Sequence, residues 1–180
     1  YENHMGVFVA EDMPAPTDPG YLDALEQLLY DVHVQMGGSV LTLFTNRRDM
    51  ERLYEALEPR LSEHGLNLAC QERSSSARRV REKFLAEKNL SLFALKSFWE
   101  GFDAAGDTLR CVVIPKLPFA SPNEPLVKER EAREDRAWWR YSLPEAVIAT
   151  KQAAGRLIRS ADDKGVLVLA DSRLVSKRYG

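Results

Sequence analysis

The sequence predicts an α/β fold, with a mostly parallel central sheet and helices on both faces. Segments that read as strands alternate with segments that read as helices almost throughout. That alternation favours parallel strands joined by crossover helices. The strand segments are short apolar runs such as SVLTLFT and LRCVVIPKLPF, the pattern of strands buried on both faces. The composition is that of an ordinary globular chain: 180 residues, 44% hydrophobic and 29% charged. That is enough for one domain with a full core, alone or with a small appendage.

The elements follow in order. GVFVA is a short strand, and the Pro-rich EDMPAPTDPG after it is a loop. A helix over residues 21–36 carries Leu22, Leu25, Leu28, Leu29 and Val32 as an apolar stripe, and Gly37–Gly38 stops it. SVLTLFT is a buried strand. Asn46 can cap a helix over residues 47–64 whose apolar side includes Met50, Leu53, Tyr54, Leu57 and Leu61. GLNLACQ is a strand, SSSARRVREKFLAEK a serine-capped helix, LSLFAL a strand and LRCVVIPKLPF a buried strand ending in a loop. A charged helix is expected over residues 124–141 and another over 144–160, before the last strand, GVLVLADSR. In such sheets sites form at the carboxyl ends of strands. The loops after Phe44, Ala69, Leu95, Pro115 and Ala170 are therefore the places to look.

Several function classes find no support in the residues. Cys70 and Cys111 are far apart, each in an apolar run, with no CxxC and no Cys/His cluster. The chain offers no zinc or iron–sulfur ligand set, and its thiols read as buried and free in a reducing, cytoplasmic setting. No apolar run approaches the roughly 20 residues that span a bilayer, and no signal peptide is visible. The net charge of −2 means that any basic surface is local. No GxxxxGK[ST] exists, so the chain has no phosphate-cradling loop of its own. It begins at YENHM without an initiator methionine, which gives the expectation of a piece of a larger protein.

The stretch TKQAAGRLIRSADDKG, residues 150–165, carries the most chemistry. On a helix, Gln152, Gly155, Arg156 and Arg159 are spaced i, i+3, i+4, i+7 and share one face. Two guanidiniums and an amide make a donor array suited to phosphate oxygens, because arginine stays charged and its fork matches a phosphate bidentately. A glycine inside a helix costs about 1 kcal/mol against alanine, and makes sense where another surface approaches closely. The competing reading is a solvated polar face whose arginines pair with nearby acids. If the arginines serve a triphosphate, another domain holds it.

QAAGRLIR resembles motif VI, QxxGRxxR, of superfamily 2 helicases. SFWEGFDAAGDTLRCVVIPKLPFASPNEPL resembles motif V and its continuation in the DinG/XPD branch. LTLFTNRRDMERLYEAL resembles motif IV, and CQERSSSARRVREKF the motif IVa region. YENHMGVFVAEDMPAPTDPGYLDAL resembles the linker strand that opens this domain. The resemblance covers essentially the whole chain, residues 1–180, in family order. It implies a RecA-like three-layer fold: the second motor domain of a DinG-type DNA helicase. The first motor domain, with Walker A, the DEAH box and in some relatives an iron–sulfur cluster, would lie in another part of the parent protein. ATP with Mg²⁺ would sit mainly on that domain.

Residue by residue, the resemblance implies that Arg159 is the arginine finger of motif VI, Arg156 its partner at the γ-phosphate, and Gln152 the glutamine near the hydrolytic water. An arginine so placed stabilises transition-state charge, worth about 10³–10⁵ in rate. Gly101 and Asp103 match the motif V GxD on the ribose side, with Glu100 either a ligand contact or an organiser of its own loop. Thr45, Asn46, Arg47, Gln71, Ser74 and Ser97 would face single-stranded DNA. Hydroxyls and amides at strand ends suit sequence-neutral contacts, and Ser and Asn are also the default cap and turn residues. Departures exist: ALKSFWEG replaces the commoner GTGSFWEG, so Leu95 stands where a threonine often sits and Lys96 replaces a glycine. Lys96 could compensate as a phosphate cation. TNRRD replaces a TSY form of motif IV.

Phe98 and Trp99 could stack on a base or belong to the core. Trp138 and Trp139, in KEREAREDRAWWRY, would pack inward or meet a neighbouring domain. Arg78, Arg79, Arg81 and Lys83 form a basic cluster that extends the DNA track or is a plain surface helix. Two further readings stay open: a DinG-like nuclease, and a RecA-like module that binds a nucleic acid or partner without running a motor. On the family reading, the parent moves 5′ to 3′ on single-stranded DNA, and this chain alone does not hydrolyse ATP.

Overall fold

The computed structural model describes residues 4–71, 76–95, 108–158 and 164–179. Six strands form one sheet: β1 (Met5–Val9), β2 (Val40–Phe44), β3 (Leu68–Cys70), β4 (Ser91–Leu95), β5 (Cys111–Ile114) and β6 (Gly165–Leu169). Their spatial order is β1-β6-β5-β2-β4-β3, and every pairing is parallel. The helices are α1 (Tyr21–Met36), α2 (Arg47–Ser62), α3 (Ala77–Ala86), α4 (Pro125–Arg133), α5 (Leu143–Ala154) and a one-turn α6 (Arg173–Ser176).

The period of two along the strands builds two cores. Val40, Phe44, Phe93, Cys111, Val113 and Val168 face α1 and α2, meeting Leu25, Leu29, Met50, Leu53 and Leu57. Leu41, Leu43, Leu92, Val112, Ile114 and Leu167 face the other way, against Phe84 of α3 and Ala153 of α5. Helices on both faces of one sheet make the three-layer fold the sequence predicts. Burial in α1 follows a strict i+4 row, Tyr21, Leu25, Leu29 and His33, so Leu22, Leu28 and Val32 are only partly buried. His33 takes a core position. Its Nδ1–H donates to the Leu29 carbonyl at 2.6 Å, and its ring meets Phe93 edge-on at 5.8 Å. Gly38 is required by its backbone: φ is +93°, and a Cβ there would lie 2.1 Å from the Asn89 carbonyl oxygen.

Two expected helices are shorter than their sequence pattern. The charged helix stops at Arg133, and a separate five-residue π-helical turn, Trp138–Ser142, leads directly into α5. Trp138 leaves the α4 line to pack on Phe119 and Tyr179 at ring distances of 5.5 and 5.1 Å. α5 ends at Ala154 instead of continuing to residue 160. Beyond it the chain tightens into i→i+3 bonds, with Arg156 N–H donating to Ala153 and Leu157 N–H to Ala154. That tightening drops Leu157 onto the start of β6, where it is buried.

Candidate functional site

In an all-parallel sheet the two ends of the strands are distinct edges, and the candidate residues divide between them. Thr45, Asn46 and Arg47 follow β2 and Gln71 follows β3, on the carboxyl edge. Gln152, Gly155 and Arg156 lie where α5 comes down to Gly165, the first residue of β6, on the amino edge. Leu95 ends β4 on the carboxyl edge, and Thr108 precedes β5 on the amino edge. Ser74, Lys96, Ser97, Glu100, Gly101, Asp103 and Arg159 lie outside the described residues, as do Phe98 and Trp99. Carboxyl-end loops are thus half of the picture, because the arginine turn is at the opposite edge.

On the amino edge, the expectation that Gly155 sits inside a helix does not hold, and among the described residues no other surface is pressed against it. Gly155 is the C-cap of α5 with φ −63° and ψ −10°, a conformation open to any residue. Among the described residues, the Lys151 and Gln152 carbonyls of its own turn are what lies near a Cβ placed there, at 3.3 and 3.6 Å. Nor do Gln152, Gly155 and Arg156 share the face of a continuing helix, since the helix ends before the glycine. The glycine that close packing demands is Gly165. A Cβ on it would sit 2.8 Å from Leu157 Cβ. Leu157 follows Arg156 directly, so this contact fixes the height of the arginine turn over the sheet. Gln152 is exposed and Arg156 half-buried.

The carboxyl edge is held by a chain of polar contacts. Asn46 is occupied as a cap: its Oδ1 accepts from Asp49 N–H at 2.9 Å and its Nδ2 donates to Asp49 Oδ2 at 2.8 Å. The same Asp49 oxygen accepts from Lys116 Nζ at 2.6 Å. Burial alone would raise the Asp49 carboxyl; the hydrogen bonds from Lys116 and Asn46 outweigh it and hold it below the usual carboxylate range. The Lys116 ammonium also lies 5.1 Å from the Tyr21 ring centre. Tyr21 O–H donates to the Pro115 carbonyl, and burial, with the charges of Asp171 and Asp49, pushes its phenol up. Asp171, fully buried after β6, accepts Leu117 N–H at 2.8 Å and two bonds from the Arg173 guanidinium at 2.6 and 2.8 Å. That ties the loop after β5 to the loop after β6.

Gln71 is turned into the fold. Its Oε1 accepts Leu95 N–H at 2.9 Å, and its own N–H donates to the Phe93 carbonyl. It joins the ends of β3 and β4. Arg47 Nη1 donates to the Gln71 carbonyl at 2.9 Å and pairs with Glu51 at 3.4 Å. Thr45 is exposed at the strand end. Beside this edge a cleft of about 310 Å³ is lined by Tyr54, Cys70, Gln71, Arg79 and Lys83 among others. Cys70 is therefore half-buried rather than buried. Cys111 is buried, and burial pushes its thiol up to about 12. Ser76 caps α3 by accepting Arg79 N–H at 3.2 Å. Sequence reasoning missed Lys116, Asp171 and Arg173. The signal available was charge just past two apolar strand runs, Lys116 after β5 and the Asp171–Arg173 pair after β6. Among the described residues no group of three His, Cys, Asp or Glu could hold a metal ion, and no helix is long and apolar enough to cross a membrane.

An all-parallel sheet with helices on both faces is the architecture of RecA-like domains. Residues 29–180 match the family described as helicase C-terminal domain, and the chain belongs to that family, in its DinG/XPD-type branch. It is 37% identical over 184 aligned positions to a protein named ATP-dependent DNA helicase YoaA from Escherichia coli K12, covering 100% of this chain and 28% of that protein. It is 31% identical over 188 positions to a protein named 3'-5' exonuclease DinG from Bacillus subtilis 168, covering 100% of this chain and 20% of that protein. The chain thus spans under a third of the length of these relatives. A solved XPD helicase superposes with a TM-score of 0.76 at 19% identity, covering 97% of this chain and 33% of that one, which shows the shared fold.

Proposed function

We propose that this chain is the second motor domain of an ATP-driven DNA helicase. Its amino edge presents Arg156 and Gln152 to an ATP bound on a first RecA-like domain of the parent protein, and Arg159 joins them on its motif position. Its carboxyl edge, from the strand ends after β2, β4 and β3, forms part of a single-strand groove. The observation that carries the reading is the division of the described members of the two sets, Gln152 and Arg156 against Thr45, Asn46, Arg47 and Gln71, between opposite edges of one sheet. A motor needs that layout, because closing a cleft on ATP at one edge then moves the grip on nucleic acid at the other. Within the phosphate set, Gln152 and the arginines supply donors and positive charge. They stabilise charge that develops on transferred phosphoryl oxygens. Mg²⁺ would be held mainly by the first domain, where it supplies charge neutralisation to the phosphates. On the strand side, the exposed Thr45 is the direct contact. Asn46, Arg47 and Gln71 act by holding its loop: Asn46 through both polar atoms on Asp49, Arg47 through Nη1 on Glu51 and the Gln71 carbonyl, and Gln71 through Oε1 on Leu95. Ser74, Lys96 and Ser97 are kept in the groove set, and Glu100, Gly101 and Asp103 in the nucleotide set, on their motif positions. The reducing, cytoplasmic setting is kept as part of the proposal.

The test is single-strand-stimulated ATPase of a longer protein containing this domain, wild type against Arg159→Ala, with nucleotide binding measured alongside. Hydrolysis falling about 10³-fold with ATP still bound supports the reading. Unchanged hydrolysis removes it. The nuclease reading draws on the name of the Bacillus subtilis relative; nuclease activity that survives Arg159→Ala belongs to another part of the parent.

A further inference from the structure

We propose that the π-helical turn Trp138–Ser142 carries a base-stacking platform for single-stranded nucleic acid, with Trp139 the stacking ring; this rests on the carboxyl edge being the strand track. Trp139 is 52% exposed, unusual for a tryptophan fixed by its neighbours. It meets Trp138 edge-on, centroids 5.2 Å apart at 87°. Trp138 is itself wedged against Phe119 at 5.5 Å and Tyr179 at 5.1 Å. Phe119 and Tyr179 meet at 5.8 Å, and the Arg173 guanidinium lies 5.4 Å from the Phe119 ring centre. Four aromatic rings thus support one another, and the outermost is open to solvent.

The winding of the backbone produces this presentation. Leu143 N–H donates to the Trp138 carbonyl, an i→i+5 bond. Single π turns of this kind are frequent at functional sites. Ala137, just before the turn, is buried and anchors it.

The location is specific. Phe119 follows β5 and Tyr179 follows β6, and the Asp171–Arg173 pair that holds Phe119 sits directly after β6. The cluster therefore stands on the carboxyl edge over β5 and β6. Thr45 stands on the same edge after β2, the next strand in the sheet, and Lys116 bridges the two by reaching Asp49. Lys177 and Arg178, exposed beside Tyr179, add positive charge to a strand's path. Rings interleaved with cations along a strand-end edge fit single-stranded nucleic acid, because every base offers a π face and every linkage a negative charge.

The experiment is fluorescence anisotropy of a labelled oligothymidylate with the 180-residue chain, over a salt series. Trp139→Ala should weaken binding about 5- to 150-fold. Trp139→Phe should recover most of it. The salt slope should not change, because a stacked base releases no phosphate counterions. An oligomer of abasic sites should bind wild type and Trp139→Ala alike. Thr45→Glu reports separately on the track. If Thr45→Glu weakens binding and Trp139→Ala does not, the platform falls and the track stands. If neither matters, or the wild-type chain binds no strand at low salt, both fall. If Trp139→Ala binds the strand normally while a longer protein carrying it loses ATPase, the ring is a domain contact and the platform falls. A cooperative unfolding transition for Trp139→Ala shows that the variant folds, and Trp139→Phe, which keeps a ring on Trp138, carries the comparison where the alanine variant is less stable.

Discussion

Gly165→Ala should tilt the arginine turn and destabilise the domain, although it adds a single methyl to a strand. The new Cβ would lie 2.8 Å from Leu157 Cβ, 3.0 Å from its Cδ2 and 3.2 Å from its Cγ. The Cδ2 contact can relax by a rotamer change. The Cβ contact cannot, because Leu157 Cβ moves only with its backbone. Restoring ordinary contact of about 3.4 Å needs a displacement of about 0.6 Å, in a turn whose next residue back is Arg156. Overpacking of this kind costs about 1–3 kcal/mol, or about 2–12 °C in Tm for a domain of this size. The assay is thermal or urea unfolding of the isolated chain. Leu157→Ala should not rescue the variant, since it keeps the offending Cβ. Gly155→Ala is the matched control, with a compatible backbone and, among the described residues, its own turn alone nearby, and should change stability by less than about 1 kcal/mol. A Gly165→Ala chain as stable as wild type would refute the close packing, and with it the account of what holds Arg156 in place.

Two other outcomes follow from the buried polar groups. Burial pushes His33 down to about 4 from an ordinary 6.5, so the folded state holds it neutral. Its contribution is complete above pH 6.5 and is lost as pH falls from there towards 4, amounting to about 3 kcal/mol. The difference in unfolding free energy between wild type and His33→Leu across that range should carry this slope. Asp171→Asn removes the charge facing the Arg173 guanidinium, which Asp171 holds well above its ordinary range by hydrogen bonding. It should cost about 2–3 kcal/mol by urea unfolding, below the figure for a fully buried pair because Arg173 remains partly exposed. No loss of stability would mean that the ties between the β5 and β6 loops are redundant.

The layered architecture was legible because each strand is an apolar run bounded by turn residues and each long helix has an apolar row. The misplacements have tertiary causes. Nothing local ends the helix pattern at Arg133; the docking of Trp138 on Phe119 and Tyr179 does. Gly155 caps α5 just after Ala154, and the seat of Leu157 on Gly165 holds the chain off the helix line from there. The glycine of the QAAGRLIR stretch drew attention to itself, whereas the glycine that matters to packing opens a strand ten residues later. Asn46 was legible as a cap, and the cap consumes both of its polar atoms. Gln71 was legible as a strand-end amide, but the strand it serves is the neighbouring β4. Lys116 could not be paired with Asp49, nor Asp171 with the Leu117 N–H, from sequence, because these contacts form only once β5, β6 and α2 are assembled; the Asp171–Arg173 pair is local, two residues apart.

The central claim is that the two edges of the sheet do different work. The most direct measurement is kcat for ATP hydrolysis at saturating single strand, with strand affinity in parallel, for Arg156→Ala in a longer protein containing this domain. The account predicts that kcat falls about 10³-fold or more while strand affinity stays within twofold. Unchanged kcat, or a loss of strand affinity matching the loss of kcat, would contradict it.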